Sequence, residues 1–328
     1  MTRRWLWPAL IVAVLVAALL GVAIGSTSIA PGRVLAALAG SGDPVERAIL
    51  IELRLPRVIL GLAVGAMLGL GGAALQGYLR NPLAEPSVLG ASNGAALGAV
   101  VALYFGVAEW HPIALPLLSI AGALAALTLL FVLAGRSESA LTLILAGIAV
   151  STLAGAGISL ALNLSPNPFA AMEITTWLLG SLEDRSFEHV ALALPCVAVG
   201  LLLLAGQGRA LDALTLGEDG AAALGMNLRA VRVRLLLGTA IGVGGAVAVS
   251  GAIGFVGLIV PHLVRPLTDR SPSAILWPSA LAGAALLTLA DVAVRVIPAS
   301  NELKLGVVTA FLGVPVFLVH LMRERRLW

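Results

Sequence analysis

The sequence predicts an all-α, polytopic membrane protein with about ten transmembrane helices. Of its 328 residues, 59% are hydrophobic and only 11% are charged, and the mean hydropathy is +1.03. Soluble domains are about half apolar and a quarter charged. A helix satisfies its own backbone hydrogen bonds in lipid, and roughly 20 apolar residues cross the hydrocarbon core. The chain length therefore accommodates about ten spans with short connections.

Ten apolar runs, separated by short polar or glycine-containing segments, are the predicted spans. The eighth run is short, so we expect it to be tilted or only partly spanning. The first run follows two arginines, as in a secretory signal, but it is too long for one and lacks a clear cleavage site, so we assign it as a span. The runs are 5–25, 58–78, 88–107, 113–135, 141–164, 190–205, 235–250, 253–264, 275–297 and 306–322.

The basic residues predict the orientation of these spans, because cytoplasmic segments of membrane proteins carry an excess of lysine and arginine. They form no single patch, so we expect contact with membrane lipid and none with nucleic acid. An N-terminus inside places Arg3, Arg4, Arg80, Arg136, Arg209, Arg229, Arg232, Arg234, Arg265, Arg270, Arg323, Arg325 and Arg326 in the cytoplasm, and Arg33, Arg47, Arg54, Arg57, Arg185, Arg295 and Lys304 outside. Both termini are then cytoplasmic.

Glycines recur every four residues in the second and third runs. Such spacing places them on one helix face, where small residues let two backbones approach closely. We interpret both faces mainly as helix-packing surfaces. The glycines are Gly61, Gly65, Gly69, Gly90, Gly94 and Gly98.

A short internal similarity indicates an inverted repeat. Residues 71–77 (GGAALQG) resemble residues 244–251 (GGAVAVSG), and a proline-containing segment follows each within a few residues. In the predicted topology the first copy runs inward and the second outward. Inverted repeats of this kind are typical of transporters.

Several enzyme classes are excluded by missing residues. Lys304 is the only lysine and does not lie in a phosphate-binding loop, so any ATP hydrolysis must come from another polypeptide. The histidines form no metal-binding pair, and Cys196 is the only cysteine, so we expect no metal site, no intramolecular disulfide and no cofactor. The sequence predicts a transport protein rather than an enzyme.

Asp291 is the strongest candidate for a charged side chain within the membrane, where ionisable groups are costly and usually functional. Arg295 follows one turn later on the same helix face and is able to pair with it. We favour an ion pair near the outer end of the ninth helix. A proton relay in an ion-coupled secondary transporter is the alternative, although such a protein would be expected to carry more carboxylates inside its helices.

The longest cytoplasmic segment, residues 207–234, predicts a compact knob of two short helices. Thr215 or Gly217 is suited to begin a helix through Leu224 that ends at Gly225, and a second helix follows from Asn227. The knob is either a docking element for a partner or an ordinary solvated loop. The pattern alone leaves both interpretations open.

Five motifs in order resemble the permease subunits of bacterial ABC importers for iron-siderophores, haem and cobalamin, the FecCD-like family, over essentially the whole chain. The motifs are residues 53–57 (LRLPR), 72–95 (GAALQGYLRNPLAEPSVLGASNGA), 215–225 (TLGEDGAAALG), 251–265 (GAIGFVGLIVPHLVR) and 306–317 (GVVTAFLGVPVF). The resemblance implies a type II importer permease: one transmembrane domain, residues 1–328, in the bacterial inner membrane.

The resemblance also implies partners: a second copy of the chain, two copies of an ATP-binding subunit, and a periplasmic substrate-binding protein. It implies that the cytoplasmic segment docks on the ATPase as coupling helices. The residues expected there are Leu214, Thr215, Leu216, Gly217, Glu218, Asp219, Ala221, Ala222, Leu224 and Gly225.

Two further sets of residues are implied by the resemblance. Arg54, Arg57 and Arg295 are expected to pair with acidic residues of the binding protein, or else to anchor helix ends at the headgroup level. A translocation path along the dimer axis is expected to be lined by the fifth and tenth helices, although the same small residues suit helix packing. The path residues are Gly147, Ser151, Gly155, Ser159 and Thr309.

One motif departs from the family pattern. The usual Glu-Leu-Pro before the last helix is Glu302-Leu-Lys304 here, which adds a positive charge near the expected mouth of the path. That charge suits an anionic cargo such as haem or a ferric siderophore. The sequence does not select among these and cobalamin.

Overall fold

The computed structural model describes residues 3–25, 27, 29–38, 40–111, 113–135, 140–297 and 302–324. Within these residues the chain is helical, without a β-strand. A π-helical turn, Ile49–Arg54, and a 3-10 turn, Arg265–Leu267, lie between the α-helices. The helices are α1 (Arg3–Ala23), α2 (Pro31–Leu38), α3 (Pro44–Ala48), α4 (Leu55–Leu79), α5 (Ala91–Tyr104), α6 (Val107–Trp110), α7 (Ala114–Ala134), α8 (Ala140–Asn163), α9 (Pro168–Leu178), α10 (Phe187–Ala205), α11 (Gly208–Leu214), α12 (Glu218–Ala223), α13 (Leu228–Ser250), α14 (Val256–Val264), α15 (Pro272–Val296) and α16 (Leu305–Glu324).

The predicted all-helical membrane fold is confirmed. Among the described residues, seven helical stretches are long and apolar enough to cross a membrane, and three shorter apolar helices, within α5, α14 and α16, complete the set. These ten elements follow the ten predicted runs in order. The helix of the eighth run, α14, is short, because it begins only at Val256, after an irregular segment.

The antiparallel pair α4 and α15 forms the centre of the bundle. A methyl group added at Gly65 would lie 2.3 Å from the Gly283 carbonyl oxygen, and one at Gly69 would lie 2.2 Å from that of Ser279. These distances are far below van der Waals contact, so only glycine permits the approach. The four-residue glycine spacing in α4 is therefore a packing face, as predicted.

The pair α5 and α7 packs in the same way. A methyl group at Gly94 would lie 2.5 Å from the Gly122 carbonyl oxygen, and one at Gly98 would lie 1.9 Å from that of Leu118. Gly90 differs from the prediction. It precedes α5 with φ of +85°, a left-handed conformation that glycine adopts without a steric penalty, and so it begins the helix rather than extending its packing face.

A long helix followed by an irregular segment and a shorter helix occurs twice, in α4–α5 and in α13–α14. The two units touch where the α4 backbone at Gly72 meets α14: an added methyl group would lie 1.9 Å from the Gly257 carbonyl oxygen. This recurrence is in keeping with the inverted repeat that the sequence predicts.

The bundle has two ends, which we name by residues that lie there. At the Asp291 end, α1 and α15 finish while α4 and α16 begin. At the α12 end, α11 and α12 lie beside the C-terminus of α4 and the N-terminus of α15.

Candidate functional site

A buried network of charges joins three elements at the Asp291 end. The Asp291 carboxylate, 1% exposed, accepts hydrogen bonds from Arg57 Nε at 2.9 and 3.1 Å and from Arg295 Nε at 3.1 Å. Arg57 also donates through Nη1 to Glu302 Oε2 at 3.2 Å. Two guanidinium groups thus face two carboxylates, which is the arrangement that makes buried charge tolerable. The predicted Asp291–Arg295 ion pair is confirmed, but Arg57 and Glu302 share it.

Two arginines of this end also bind the C-terminus of α1. Arg54 Nη1 donates to the carbonyl oxygens of Val22 and Ala23 at 2.9 and 2.8 Å. Arg295 Nη1 donates to those of Gly21 and Ile24 at 2.8 and 3.2 Å. The last carbonyls of a helix have no partner within the helix, and a cation there also offsets the negative end of the helix dipole. These side chains therefore hold α1 against α4 and α15.

The three arginines expected to dock a binding protein are thus all committed to internal partners. Arg54 is 5% exposed, and the side chains of Arg295 and Arg57 are 3% and 12% exposed. In this structure Arg54 and Arg295 hold the C-terminal end of α1, while anchoring of helix ends at the headgroup level stays a prediction. Arg57 has the most exposed side chain of the three, and its partner Glu302 lies outside a helix.

A cleft of about 330 Å³ opens beside this network. Its walls include Thr27, Glu183, Asp184, Arg185 and Glu302. Burial lowers the pKa of Arg185 from its ordinary value, while the charges of Asp184 and Glu183 oppose that shift. Positive and negative side chains alternate here, so the cleft offers no single-sign surface.

Lys304 does not provide the free positive charge that the sequence suggested. Its Nζ lies 2.7 Å from Glu183 Oε2, which neutralises it. Lys304 therefore gives no support to an anionic cargo, and that expectation is corrected. Sequence reasoning could not find the partner, because Glu183 lies 121 residues away.

The α11–α12 knob, residues 208–225, lies at the α12 end, and its helix α12 forms between the two predicted glycines. Gly217, at φ of +89°, precedes α12, and Gly225, at φ of +79°, follows it. The Met226 and Gly225 N–H groups donate to the carbonyl oxygens of Ala221 and Ala222, the Schellman pattern that closes a helix at a left-handed glycine. The knob therefore has a regular, hydrogen-bonded backbone and is not an irregular loop.

The second helix of the segment differs from the prediction. The Asn227 side chain accepts a hydrogen bond from the Ala230 N–H at 3.0 Å, as expected of a capping residue. The helix it begins is α13, which continues to Ser250 and is itself a membrane span. The short element that precedes α12 is instead α11, fixed to α15 by a 2.9 Å hydrogen bond from the Ser273 N–H to Asp212 Oδ1.

The predicted coupling residues divide into a buried and an exposed set. Leu214 and Ala221 are 3% and 0% exposed and anchor the knob to the bundle. Leu216 and Leu224 are 70% and 59% exposed. Also exposed are Thr215, Asp219, Ala222 and Gly225, while Gly217 and Glu218 are intermediate. A surface that presents two leucines beyond the spans is suited to a protein partner.

The predicted path residues are similarly divided. An added methyl group at Gly147 would lie 2.7 Å from the Val88 carbonyl oxygen, and Ser151 Oγ donates to that of Ser87 at 3.1 Å, so both fasten α8 to the segment before α5. Gly155 has open space around it and Ser159 is exposed. Thr309 is 3% exposed and donates to the Gly306 carbonyl oxygen of its own helix. Three of the five therefore serve packing here.

A cleft of about 530 Å³ lies along α8. Ser87, Asn93, Ser151 and Phe255 contribute to its walls. Its lining also includes Glu85, a carboxylate 5% exposed that accepts a hydrogen bond from Ser87 Oγ. Sequence reasoning missed Glu85; the available signal was a lone carboxylate within a long matching motif.

Fold and site together define a multi-pass membrane protein of the transport type, with a helical bundle, paired intramembrane charges and a structured knob at one end. The chain belongs to the FecCD transport family, whose model matches residues 10–323. It is an ABC transporter permease, as the sequence motifs predict.

Several known proteins are similar to this chain over most of their length. The uncharacterized ABC transporter permease protein YvrB of Bacillus subtilis (strain 168) is 43% identical over 88% of this chain and 82% of its own. The vitamin B12 import system permease protein BtuC of Vibrio cholerae is 42% identical over 85% and 84%. BtuC of Salmonella typhi is 40% identical over 98% and 96%.

Two solved structures share the fold. One, described as an inward-facing conformation of an ABC transporter assigned to the metal-chelate type, covers 98% of this chain and 99% of its own, with a TM-score of 0.85 and 30% identity. PsaBC from Streptococcus pneumoniae in complex with Fab covers 80% of this chain and 88% of its own, with a TM-score of 0.55 and 18% identity. The second supports the fold alone.

Proposed function

We propose that this chain is the membrane subunit of a bacterial ABC importer that moves cobalamin, haem or an iron chelate from the periplasm to the cytoplasm. ATP hydrolysis occurs on a separate subunit, present in two copies, and the chain works as a homodimer beneath a periplasmic binding protein. The inner membrane holds the assembly, with the α12 end and both termini in the cytoplasm. The names of the relatives support cobalamin or another metal chelate as cargo.

The observation that carries the proposal is the α11–α12 knob. Its core side chains are buried in the bundle, and its exposed rim presents Leu216, Asp219 and Leu224. Because left-handed glycines and a hydrogen bond to α15 fix its shape, a push on this rim is transmitted to α15 rather than absorbed by a loop. Such a rigid element between spans suits coupling to an ATPase.

At the Asp291 end we infer a docking site for the periplasmic binding protein. Arg57 is the candidate contact, since its partner Glu302 precedes α16 and an acidic residue of the binding protein offers the same chemistry as Glu302. Arg54 and Arg295 support the site from beneath by holding α1.

The alternative, an ion-coupled secondary transporter, requires Asp291 to exchange a cation. In this structure Asp291 contacts two arginines and is 1% exposed, which favours a structural ion pair. The importer is therefore the better-supported function.

The test is to express the tagged chain with its neighbouring genes, purify it in mild detergent, and measure the co-purifying subunit and its ATP hydrolysis. Gly225→Leu, which strains a left-handed position on the rim, should reduce retention of the ATPase. Gly225→Asn is the matched control, because asparagine tolerates that conformation. A chain that purifies alone and transports under an ion gradient would overturn the proposal.

Uptake assays in vesicles then identify the cargo. Radiolabelled cobalamin, haem and a ferric siderophore are each supplied with the cognate binding protein and ATP. Uptake of one and not the others assigns the cargo, and uptake of none with an active ATPase would exclude this cargo class.

A further inference from the structure

A third cleft, of about 340 Å³, lies at the α12 end and differs in charge from the cleft at the Asp291 end. Its described lining residues include three arginines and no carboxylate, whereas the other cleft mixes both signs. The walls come from the last turn of α4, the segment after it, the turn after α14 and the start of α15. The lining residues are Ala73, Gln76, Gly77, Arg80, Asn81, Pro82, Thr215, Arg265, Arg270, Pro272 and Ile275.

The buried side-chain amide of Gln76 holds one of these arginines, Arg265, in place. Gln76 is 3% exposed; its Nε2 donates to the Gly257 and Leu258 carbonyl oxygens, and its Oε1 accepts from Arg265 Nη2 at 2.9 Å. Because Gln76 is itself fixed by α14, the Arg265 guanidinium has a set position at the wall of the cleft. That is an arrangement built before any ligand arrives.

The other two arginines occupy backbone positions that disfavour arginine. Arg80 has φ of +49° and Arg270 has φ of +65°, both in the left-handed region. At Arg80 the helix closes in the Schellman pattern, with the Asn81 and Arg80 N–H groups on the Gln76 and Gly77 carbonyl oxygens, and glycine or asparagine is the usual residue there. Non-glycine residues held in this region are strained and cluster at functional sites.

The charged side chains that line the cleft are all arginines. Asp212 and Asp269 are not among the lining residues; the Asp212 Oδ1 accepts from the Ser273 N–H, and the Asp269 Oδ1 accepts from Ser271. Pro272 and Ile275 at the N-terminus of α15 line the cleft, and the Asp212 carboxylate already offsets the positive end of that helix dipole through the Ser273 N–H. The C-terminus of α4 contributes the negative end of its dipole, so the positive charge of the cleft comes from its arginines.

We propose that this cleft binds an oxyanion of the phosphate class, as a phospholipid headgroup or as a free phosphate compound. Guanidinium groups match the geometry of phosphate oxygens and bind them with paired hydrogen bonds. Arg265, held by Gln76, lies on one side of the cleft, and Arg80 and Arg270 line the rest of it. Thr215 of the α11–α12 knob lines the same cleft, so an occupant contacts the element whose motion the proposed function requires. The site itself does not depend on that function.

The test uses variants that remove charge without straining the backbone. Asparagine tolerates the left-handed region, so Arg80→Asn with Arg270→Asn removes two guanidinium groups while keeping the fold. Arg47→Gln, at an exposed arginine of α3, is the matched control for loss of surface charge. The full-length chain is purified in detergent, and melting temperatures are compared in sodium phosphate and in sodium chloride at equal ionic strength and pH.

Phosphate should raise the melting temperature of the parent chain and of the Arg47→Gln control, and this rise should be lost in the double variant. By titration, the apparent Kd for phosphate should increase by about tenfold or more for each arginine removed, the scale of one charge-assisted hydrogen bond. A second arm counts phosphatidylglycerol molecules retained by native mass spectrometry from nanodiscs of phosphatidylglycerol and phosphatidylcholine.

The two arms separate the sources. Loss of retained phosphatidylglycerol in the double variant assigns a lipid headgroup, and an effect on inorganic phosphate alone assigns a free compound. The proposal is overturned if neither phosphate nor phosphatidylglycerol distinguishes the double variant from the Arg47→Gln control.

Discussion

Arg57 and Asp291 are 234 residues apart in the chain, yet two guanidinium nitrogens of Arg57 contact the Asp291 carboxylate, with Nη2 2.8 Å from Oδ1. The contact joins the start of α4 to the end of α15, and Arg295 and Glu302 complete it. A buried carboxylate with two cationic partners is a structural element whose loss leaves uncompensated charge.

Asp291→Asn should therefore destabilise the protein by about 3–5 kcal/mol, because breaking a buried pair leaves its partner unsatisfied. The measurement is thermal stability in detergent by fluorescence-detected size exclusion. Asp43→Asn, at an exposed helix cap of α3, should have a much smaller effect. If Asp291→Asn kept full stability but abolished uptake, the ion-coupled alternative would replace the structural role.

Arg54→Met should loosen α1, since Val22, Ala23 and Thr27 would lose the donor to their carbonyl oxygens. Each unsatisfied buried carbonyl costs about 1–3 kcal/mol. Faster proteolysis after α1 and a lower melting temperature are expected, while Arg47→Gln should change neither. Normal stability with weakened binding-protein affinity would instead favour the docking role.

Gly65→Ala should destabilise the α4–α15 contact, because the new methyl group would lie 2.3 Å from the Gly283 carbonyl oxygen. Overpacking of a close interface costs about 1–3 kcal/mol or more. Gly155→Ala on α8 meets no atom within 4 Å and is the matched control. Expression level and melting temperature are the measurements, and equal behaviour of the two variants would contradict the packing role.

Leu216→Ser with Leu224→Ser should reduce retention of the ATP-binding subunit without lowering the melting temperature of the chain. Both leucines are more than half exposed, so their loss leaves no cavity in the bundle. Ala221→Leu, at a fully buried position of the same knob, should lower the melting temperature instead. Unchanged retention in the leucine variant would place the docking surface elsewhere.

Sequence reasoning was most successful where the signal is local. Gly217 and Gly225 both have the left-handed conformations that permit a short helix between them, and each is recognisable from its neighbours alone. Asp291 and Arg295 are one helical turn apart, so their pairing follows from helix geometry. The glycine faces of α4 and α5 follow from the same periodicity.

Contacts between residues far apart in the chain could not be predicted from the sequence. Arg57–Asp291, Arg57–Glu302 and Lys304–Glu183 each depend on which helices meet, and nothing in the local pattern specifies that. For this reason Lys304 seemed a free charge. The contact of Gly147 with the Val88 carbonyl oxygen also depends on which helices meet, whereas Thr309 donates within α16; their place in a translocation path stays a prediction.

The sequence by itself determined the membrane class, the ten apolar elements, the caps of the knob and the family, because composition, periodicity and motifs are properties of consecutive residues. The tertiary structure decided which charges neutralise each other and which remain available. Arg54 and Arg295 are used on the carbonyl oxygens of α1, whereas Arg80 and Arg270 line an open cleft. The physical reason is that the energy of a buried charge depends on partners that only the packing of the helices brings together.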